Sequence, residues 1–254
     1  MKFDRHPPTE RLKPYIKYFV VSENELGSEY KVFPSSGLVI GFQYKGQLSA
    51  MNGKQEDRLS TSGITGISKS YKTFKNTPNI RTILVYFTET GFTHFASHPA
   101  NELYNLSLSL ADIFDQGATK EVEEKLFSAT TDPHRIQIVE AFLLSQLKDI
   151  QADRLIVEAV KLLYQSQGTI RIQELLEKLH ISQSAFEKRF RKVVGTTPKK
   201  FASIIRFNAV LDSLNEAKSL TEICYEHHFF DQAHFIKDFR LFTGDTPEQF
   251  KRSL

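Results

Sequence analysis

The first third of the chain alternates apolar and polar residues with a period of two, and it is rich in β-branched and aromatic side chains. This alternation is typical of strands that bury one face. Turn sequences such as Lys45-Gly46 and Asn52-Gly53 divide the pattern. The predicted strands are residues 15–21, 30–33, 37–44, 64–69, 71–75 and 80–87. Several short strands at this spacing predict a small barrel or sandwich.

After residue 87 the apolar positions recur three or four residues apart, which predicts helices at 91–97, 111–115, 119–128 and 132–147. In the last helix Asp132 is the predicted N-cap and Pro133 the first helical residue. Residues 148–153 are polar, without glycine or proline, and form a short predicted joint. The expected fold class is α+β, with a β-rich barrel-like or sandwich-like domain and trailing helices in residues 1–150 and an all-α domain in residues 151–254.

The C-terminal part contains one sequence pattern twice, because residues 182–201 return as residues 231–250 at a constant offset of 49. Nine aligned pairs are identical: Gln183/Gln232, Phe186/Phe235, Lys188/Lys237, Phe190/Phe239, Arg191/Arg240, Gly195/Gly244, Thr197/Thr246, Pro198/Pro247 and Phe201/Phe250. Chance does not give this much identity over such a length. The chain therefore contains two copies of one supersecondary unit.

Each copy has helix start and stop signals in the same order. A short polar residue predicts the N-cap of a helix whose two phenylalanines share one buried stripe. A glycine then ends this helix, and Thr-Pro begins the next one with proline in the first helical position. The corresponding residues are Ser182 and Asp231, Gly195 and Gly244, and Pro198 and Pro247. Thr246 and Gln249 also have the spacing of a capping box, and residues 198–215 form a predicted connecting helix.

Upstream of each copy lies another amphipathic helix. These helices are predicted at residues 173–179 and at 220–226, and Ser219 with Glu222 gives the second one a capping-box pattern. Helix, tight turn and helix therefore occur twice. This arrangement allows a second helix to enter the major groove of DNA.

In these motifs, residues 153–254 resemble the DNA-binding domain of the AraC/XylS family of bacterial transcription regulators. The resemblance implies two helix-turn-helix subdomains joined by a helix. Where the family usually has glycine in the turn, this chain has His180 and His228. Histidine tolerates a left-handed conformation better than most residues, so we expect both turns to form.

The N-terminal half is more loosely similar to the N-terminal domain of a branch of the same family, in residues 12–16, 33–37, 91–95 and 106–110. This likeness implies a sensing or dimerisation role. A cupin-type metal centre is not expected, because no histidine lies between His6 and His94. We expect His94 and His98 to be an ordinary pair on a helix surface, and Phe92, Phe95 and Phe114 to be core residues.

Composition fits a globular protein of one or two domains, with 254 residues, 40% of them hydrophobic, and a formal charge of +3. The first residues lack the apolar core of a signal peptide. No apolar run approaches the ~20 residues that span a bilayer. The single cysteine, Cys224, suits a reducing compartment, and we interpret it as a small core residue. The expected location is the cytoplasm.

Positive charge concentrates in residues 183–206. There Lys188, Arg189, Arg191, Lys192, Lys199, Lys200 and Arg206 are opposed only by Glu187. A run of charges is, by itself, as consistent with a solvated helix face as with a binding surface. On a duplicated helix-turn-helix it predicts a footprint for phosphates.

The resemblance places base contacts at the exposed N-terminal positions of each second helix. These are Gln183, Ser184, Glu187 and Lys188 in the first unit and Gln232, Ala233 and Lys237 in the second. Such side chains suit the major groove, since glutamine pairs with adenine, lysine with guanine and glutamate with cytosine, and alanine packs on a thymine methyl group. Lys192, Lys199 and Lys200 are the predicted phosphate contacts. We expect Arg206 to form an internal ion pair.

The predicted function is sequence-specific DNA binding in transcription regulation, with two recognition helices of one monomer in successive major grooves. Double-stranded DNA is the expected partner, with RNA polymerase, a small-molecule effector and a second copy of the chain as further candidates and no membrane. The alternatives are a protein-interaction adaptor with degenerate helix-turn-helix units and an enzyme domain fused to a DNA-binding module. The front half offers no nucleophile-base pair, phosphate loop or metal cluster, so no catalytic residue, metal or cofactor is expected.

Overall fold

A computed structural model describes residues 2–214, 218–229 and 231–252. Its N-terminal half contains ten strands among these residues, all paired antiparallel. They are β1 Lys2–His6, β2 Ile16–Asn24, β3 Ser28–Val32, β4 Val39–Lys45, β5 Leu48–Asn52, β6 Gln55–Arg58, β7 Ser62–Thr65, β8 Lys72–Asn76, β9 Ile80–Phe87 and β10 Ser107–Ser109. A six-stranded sheet has the order β1-β2-β9-β4-β7-β10, and a four-stranded sheet has the order β3-β8-β5-β6. The two sheets do not close into one barrel.

The two faces of the six-stranded sheet are buried to different degrees. Along β4, and from Ile83 to Phe87 of β9, buried and half-buried residues alternate, as a pleated strand requires. Phe42, Ile83 and Val85 are at most 1% exposed and lie in the N-terminal core. The ring of Phe42 meets that of Phe142 edge to face at 6.1 Å, so the trailing helices cover this face. The other face carries half-buried residues, and Lys72 of the four-stranded sheet donates to Ser107 at the edge of this sheet.

The trailing segment contains short 3₁₀ helices at Phe92–His94, Ala100–Leu103 and Leu110–Asp112, then α1 (Gln116–Ser128) and α2 (Asp132–Gln146). The predicted helices 91–97 and 111–115 are thus single turns. Helix α1 begins three residues earlier than predicted, because the Asp115 carboxylate accepts a hydrogen bond from the Ala118 N–H at 2.9 Å.

The N-cap of α2 is Thr131, not Asp132 as predicted. Asp132 is already helical, and its carboxylate turns to Lys2 at 2.7 Å and Arg135 at 2.9 Å. Pro133 still lies in the first turn, where its missing N–H leaves no hydrogen bond unmade. The cation partners of Asp132 therefore replace the capping bond that the sequence predicts.

The C-terminal half is helical. Its helices are α3 Arg154–Gln165, α4 Ile172–Leu179, α5 Gln183–Val194, α6 Pro198–Leu214, α7 Leu220–Glu226, α8 Gln232–Thr243 and α9 Pro247–Arg252. Helix α6 is the predicted connection, and the last predicted residue, Asn215, lies outside the described residues. No helix in the described part of the chain combines the length and the apolar character needed to cross a membrane.

Phenylalanines join the two helix-turn-helix units through α6. The ring of Phe201 lies 5.5 Å from Phe190 of α5, whereas Phe207 lies 5.6 Å from Phe239 of α8. Phe190 is fully buried and Phe239 is 2% exposed. Since one rigid helix contributes to both cores, α6 fixes how the two units are arranged.

The N-terminal half contacts the C-terminal end of both α5 and α8. A Cβ atom at Gly195, which follows α5, would lie 3.1 Å from the carbonyl oxygen of Ala100. After α8, the Lys31 ammonium lies 2.7 Å from the Asp245 carboxylate. Phe33 packs edge to face on Phe250 at 5.7 Å. The β-rich half therefore rests on the ends of α5 and α8 that lie away from the predicted base contacts.

A partly buried polar cluster connects α3 to the strands. The Tyr164 hydroxyl lies 2.8 Å from Ser36 Oγ and donates a short hydrogen bond to Glu89. Lys17 Nζ completes the cluster at 2.5 Å from Glu89. Burial and the Glu89 carboxylate raise the pKa of Tyr164, so its hydroxyl stays protonated and donates.

Candidate nucleic-acid interface

Both turns of the duplicated unit contain a histidine in the left-handed conformation. His180 ends α4 with φ 50° and ψ 46°, and His228 after α7 has φ 52°. Both positions were predicted. Two residues separate His180 from α5, whereas three separate His228 from α8, so the second unit has one more residue between this histidine and its second helix.

The predicted caps are present, and they are stronger in the second unit. Asp231 Oδ1 accepts from the His234 N–H at 2.7 Å, whereas Ser182 caps α5 without a side-chain hydrogen bond. Gly195 and Gly244 end α5 and α8 with φ 97° and 82°, where glycine avoids the strain of a Cβ atom.

Capping boxes begin α7 and α9. Ser219 Oγ accepts from the Glu222 N–H at 3.2 Å, and Glu222 accepts from the Ser219 N–H at 2.7 Å. Thr246 and Gln249 exchange the equivalent bonds at 3.3 and 3.0 Å. The sequence predicted both boxes, which define where these two helices begin.

The predicted base contacts of the first unit share one side of α5. Gln183, Ser184 and Lys188 are exposed, and Glu187 is half-buried. Glu187 accepts a hydrogen bond from Gln183 Nε2 at 3.2 Å, as residues four apart on a helix do. The fully buried Phe186 and Phe190 lie on the other side. The first recognition helix thus presents an amide, a hydroxyl, a carboxylate and an ammonium together.

The predicted base contacts of the second unit are also exposed. Gln232, Ala233 and Lys237 lie on the outer side of α8. The Gln232 amide donates to Thr221 Oγ1 of α7 at 2.8 Å, which holds it at the start of the helix. On the flank, His234 Nε2 lies 3.7 Å from the Asp238 carboxylate.

The three predicted phosphate contacts differ in their surroundings. Lys192 and Lys199 are exposed, on α5 and at the start of α6. Lys200 is half-buried, with Nζ 4.2 Å from the ring centre of Phe242. Burial lowers the pKa of Lys200, and the Asp238 carboxylate opposes this only in part. Of the three, Lys200 is the least available to a phosphate.

Two arginines of the basic run pair within the chain. Arg189 donates two hydrogen bonds, at 2.9 and 2.6 Å, to the Asp153 carboxylate at the start of α3. Arg206 lies 3.9 Å from Asp238 and 4.3 Å over the ring of Phe229. The expected internal partner of Arg206 is present, and the guanidinium also packs on an aromatic ring. The Arg189 pair was not predicted, because it joins residues 36 positions apart and leaves no local signal in the sequence.

Arg191 belongs to the predicted phosphate footprint but is not one of the individually predicted DNA contacts. It is exposed on α5 and lines a shallow surface groove with Gln183, Lys199 and Arg206. Its place in the basic run was the available signal.

The histidines and the cysteine of the described ranges are not grouped as metal ligands. His94 is 4% exposed and packs against Tyr15, while His98 is exposed beyond the end of its 3₁₀ turn, so the expected surface pair is wrong. In the ranges that the structure describes, no three His, Cys, Asp or Glu side chains are grouped as metal ligands. Cys224 is 4% exposed, and burial raises the pKa of its thiol.

Comparison with known proteins agrees with this geometry. Residues 175–253 match a family described as a helix-turn-helix domain, and residues 4–109 match a domain of unknown function, DUF6597. An uncharacterized HTH-type transcriptional regulator of Haemophilus influenzae is 28% identical over 162 residues, covering 61% of this chain and 53% of the relative. The Msm operon regulatory protein of Streptococcus mutans is 28% identical over 121 residues, covering 46% and 44%. The chain thus spans about half the length of these curated relatives.

Among solved structures, ToxT from Vibrio cholerae is similar with a TM-score of 0.50 and 11% identity, over 93% of this chain and 98% of ToxT. This likeness concerns the fold alone. Fold, duplicated motif and matched family together define a protein with a C-terminal double helix-turn-helix of the AraC type behind a β-rich N-terminal half. Residues 175–253 thus form a helix-turn-helix domain of the AraC type, and both curated relatives are named as regulators.

Proposed function

We propose that this protein is a sequence-specific DNA-binding transcription regulator, and that each monomer places α5 and α8 in successive major grooves. The observation that carries the proposal is the duplicated unit, whose two second helices expose polar N-terminal positions and share one rigid connection. Both curated relatives are named as regulators, not as enzymes.

The length of α6 supports simultaneous contact with two grooves. Its 17 residues span roughly 26 Å at ~1.5 Å per residue. Half the width of a unit at each end brings the two recognition helices to about one DNA turn, near ~34 Å. Gln183, Ser184, Glu187 and Lys188 would then face one half-site and Gln232, Ala233 and Lys237 the other. Lys192, Lys199 and Lys200 would meet phosphates.

The test is selection of bound duplexes from a random DNA pool by the full chain at physiological salt. Two enriched boxes about one helical turn apart, bound by one monomer, are the expected result. Enrichment of a single box would limit readout to one unit. No enrichment would contradict the proposal and favour the adaptor, whose units bind protein instead of DNA.

We further propose that the N-terminal half holds a small-molecule effector between its two sheets. The half-buried face of the six-stranded sheet carries Tyr18 and Tyr86, with ring centres 4.8 Å apart. Lys72 reaches across from β8 to Ser107 Oγ at 3.1 Å. Burial lowers the pKa of Lys72 to about 8, and no carboxylate pairs with it in the described part of the chain. An anionic ligand would supply the missing charge.

A panel of small carboxylates at constant ionic strength tests this effector site. A rise in Tm that Lys72→Met removes is expected, and an equal rise in that variant would refute the assignment.

Contact with RNA polymerase and pairing of two copies through the N-terminal half are proposals that rest on the family resemblance alone. Size-exclusion chromatography with light scattering tests the second.

A further inference from the structure

The two recognition helices differ in chemistry at one aligned position. The offset of 49 pairs Glu187 of α5 with Ile236 of α8. Glu187 is a half-buried carboxylate that already accepts a hydrogen bond from Gln183. Ile236 is an exposed aliphatic side chain, with 42% of its surface accessible. Similar backbones therefore present opposite chemistry toward the same side.

Ile236 lies among the predicted base contacts of the second unit. It follows Gln232 by four residues and Ala233 by three, so these side chains are neighbours on the helix surface. Lys237 is the next residue along. Ile236 belongs therefore to the same side of α8 as the residues that we propose to meet the second half-site.

Packing within the chain does not explain this isoleucine. The described residues that form or border the C-terminal core include Phe235, Phe239 and Phe242 but not Ile236. A β-branched side chain is also a weaker helix former than alanine or leucine. An exposed isoleucine thus adds little to folding, and its apolar surface gains from burial only when a partner covers it.

We propose that Ile236 reads the 5-methyl group of a thymine in the half-site that faces α8. Thymine displays this methyl in the major groove, where cytosine displays an amino group and carries no methyl. Glu187 at the aligned position would instead accept from a cytosine amino group. The inference rests on the proposed function and deepens it, since it assigns a thymine to the second half-site and not to the first.

The surroundings of Ile236 favour contact with a thymine methyl group over contact with another protein. Exposed Gln232, Lys237 and Arg240 lie near Ile236 on α8 and suit a phosphate-lined groove. Another exposed apolar residue of α8, Leu241, lies five residues further along and on another side of the helix. One isolated side chain is too small for a protein-docking patch but has the size to cover a single methyl group.

The experiment uses the full chain and a duplex obtained by the selection described above. Each thymine of the second box is replaced singly by deoxyuridine, which removes the 5-methyl group and leaves every hydrogen-bonding atom. At one position the Kd is expected to rise about fourfold, the effect of one buried methyl group. In Ile236→Ala that difference between thymine and deoxyuridine should disappear, while dependence on the first box stays unchanged.

Leu241→Ala is the matched control, because Leu241 is 45% exposed on the same helix. It should keep the full preference for thymine over deoxyuridine. Ala233→Gly distinguishes the other apolar side chain of this surface, and a preference lost in that variant but kept in Ile236→Ala would overturn the assignment. Ile236→Glu should move the preference at this base pair toward cytosine.

The outcomes separate the inference from the function beneath it. Selective binding by the wild-type chain that is indifferent to every deoxyuridine in the second box overturns the inference alone. Failure of the wild-type chain to select any sequence overturns the proposed function and the inference with it.

Discussion

The two helix-turn-helix units share nine aligned identities but differ in the charge that they present. Helix α5 carries Lys188, Arg189, Arg191 and Lys192 against one carboxylate, Glu187. Helix α8 carries Lys237 and Arg240 against Asp238. Six of the nine repeated pairs build the core, the glycine stop and the Thr-Pro start, whereas the other three are exposed polar pairs: Gln183/Gln232, Lys188/Lys237 and Arg191/Arg240. Duplication has therefore kept the scaffold, while the residues between the repeated ones gave each unit its own surface.

The units also differ in how their helices begin. In the second unit Asp231, Ser219 and Thr246 all accept capping hydrogen bonds from backbone N–H groups. In the first unit Thr197 accepts the equivalent bond from the Lys200 N–H, but Ser182 accepts none, and Asp153 caps α3 while it pairs with Arg189. A local hydrogen bond thus caps α8, whereas a long-range ion pair ties α5 to α3.

The largest expected effect concerns the aromatic cores that the units have in common. Phe190→Ala and Phe239→Ala should each lower the free energy of unfolding by about 3–5 kcal/mol, because each leaves a cavity beside α6. Urea unfolding followed by circular dichroism measures this loss. Phe127→Ala is the control, since Phe127 is 80% exposed and its removal should change stability little. A loss for one unit only would show that the two cores are not equivalent.

The next largest effect concerns DNA binding by two lysines of the first unit, one of which we expect to contact a base and the other a phosphate. Lys188→Ala should weaken binding to the selected duplex by ~1–3 kcal/mol and relax preference at one base pair. Lys199→Ala should weaken binding to all sequences alike and reduce the salt slope by about one. Fluorescence anisotropy across a salt series measures both. Equal losses on every sequence for both variants would show that Lys188 reads no base.

Acid should weaken the second unit through a buried histidine. His227 is 3% exposed, with Nε2 2.9 Å from Ser213 Oγ of α6, and burial lowers its pKa despite the nearby Glu226 carboxylate. The neutral His227 side chain contributes fully to stability above the pKa of about 6.5 that histidine has in the unfolded chain. This contribution is lost as the pH is lowered from there through the pKa of His227 in the folded protein.

In that pH range the free energy of unfolding changes by at most about 1.4 kcal/mol per pH unit for one proton. His94 is shifted in the same direction in the N-terminal half. The measurement is therefore the difference between wild type and His227→Gln in unfolding from pH 7 to 5. Identical pH profiles for the two proteins would contradict the assignment.

The smallest expected effect concerns the ion pair of the first unit. Arg189→Ala should cost ~0.2–1 kcal/mol of stability, because the arginine side chain is 46% exposed and solvent screens the pair. Asp153→Ala should cost more, since it also removes the cap on the Ile156 N–H. Differential scanning calorimetry measures the stability of both variants. A loss of DNA affinity for Arg189→Ala as large as that for Lys188→Ala would mean that Arg189 leaves Asp153 to meet DNA.

The sequence predicted the helices of the C-terminal half closely because their signals are local. Ser219 with Glu222 placed α7 at Leu220–Glu226, as observed, and Thr-Pro placed the starts of α6 and α9. Strands β1, β5, β6 and β10 were not predicted. Strand β6, with the sequence Gln-Glu-Asp-Arg, has no apolar alternation and exists because it pairs with β5 at a sheet edge. Pairing of this kind leaves no local signal.

In the candidate site, too, local features were predicted from the sequence and long-range contacts were not. Helical spacing correctly indicated that Gln183, Lys188 and Gln232 would be exposed on α5 and α8. It gave no sign that Lys200 would lie over Phe242 or that Arg189 would meet Asp153, because those partners are 42 and 36 residues away. Exposure follows from periodicity within one helix, whereas contacts between helices follow from the assembled core.

Helix α6 sets a rule for insertions and deletions in this chain. Each residue added within it would rotate the second unit by about 100° and shift it by about 1.5 Å, so one extra residue would turn α8 away from the face of DNA that α5 reads. The turn before α8 tolerates a change in length, because five residues (227–231) already separate α7 from α8, whereas three (180–182) separate α4 from α5. Length variation should therefore accumulate in the turns of the two units and be absent from the rod that joins them.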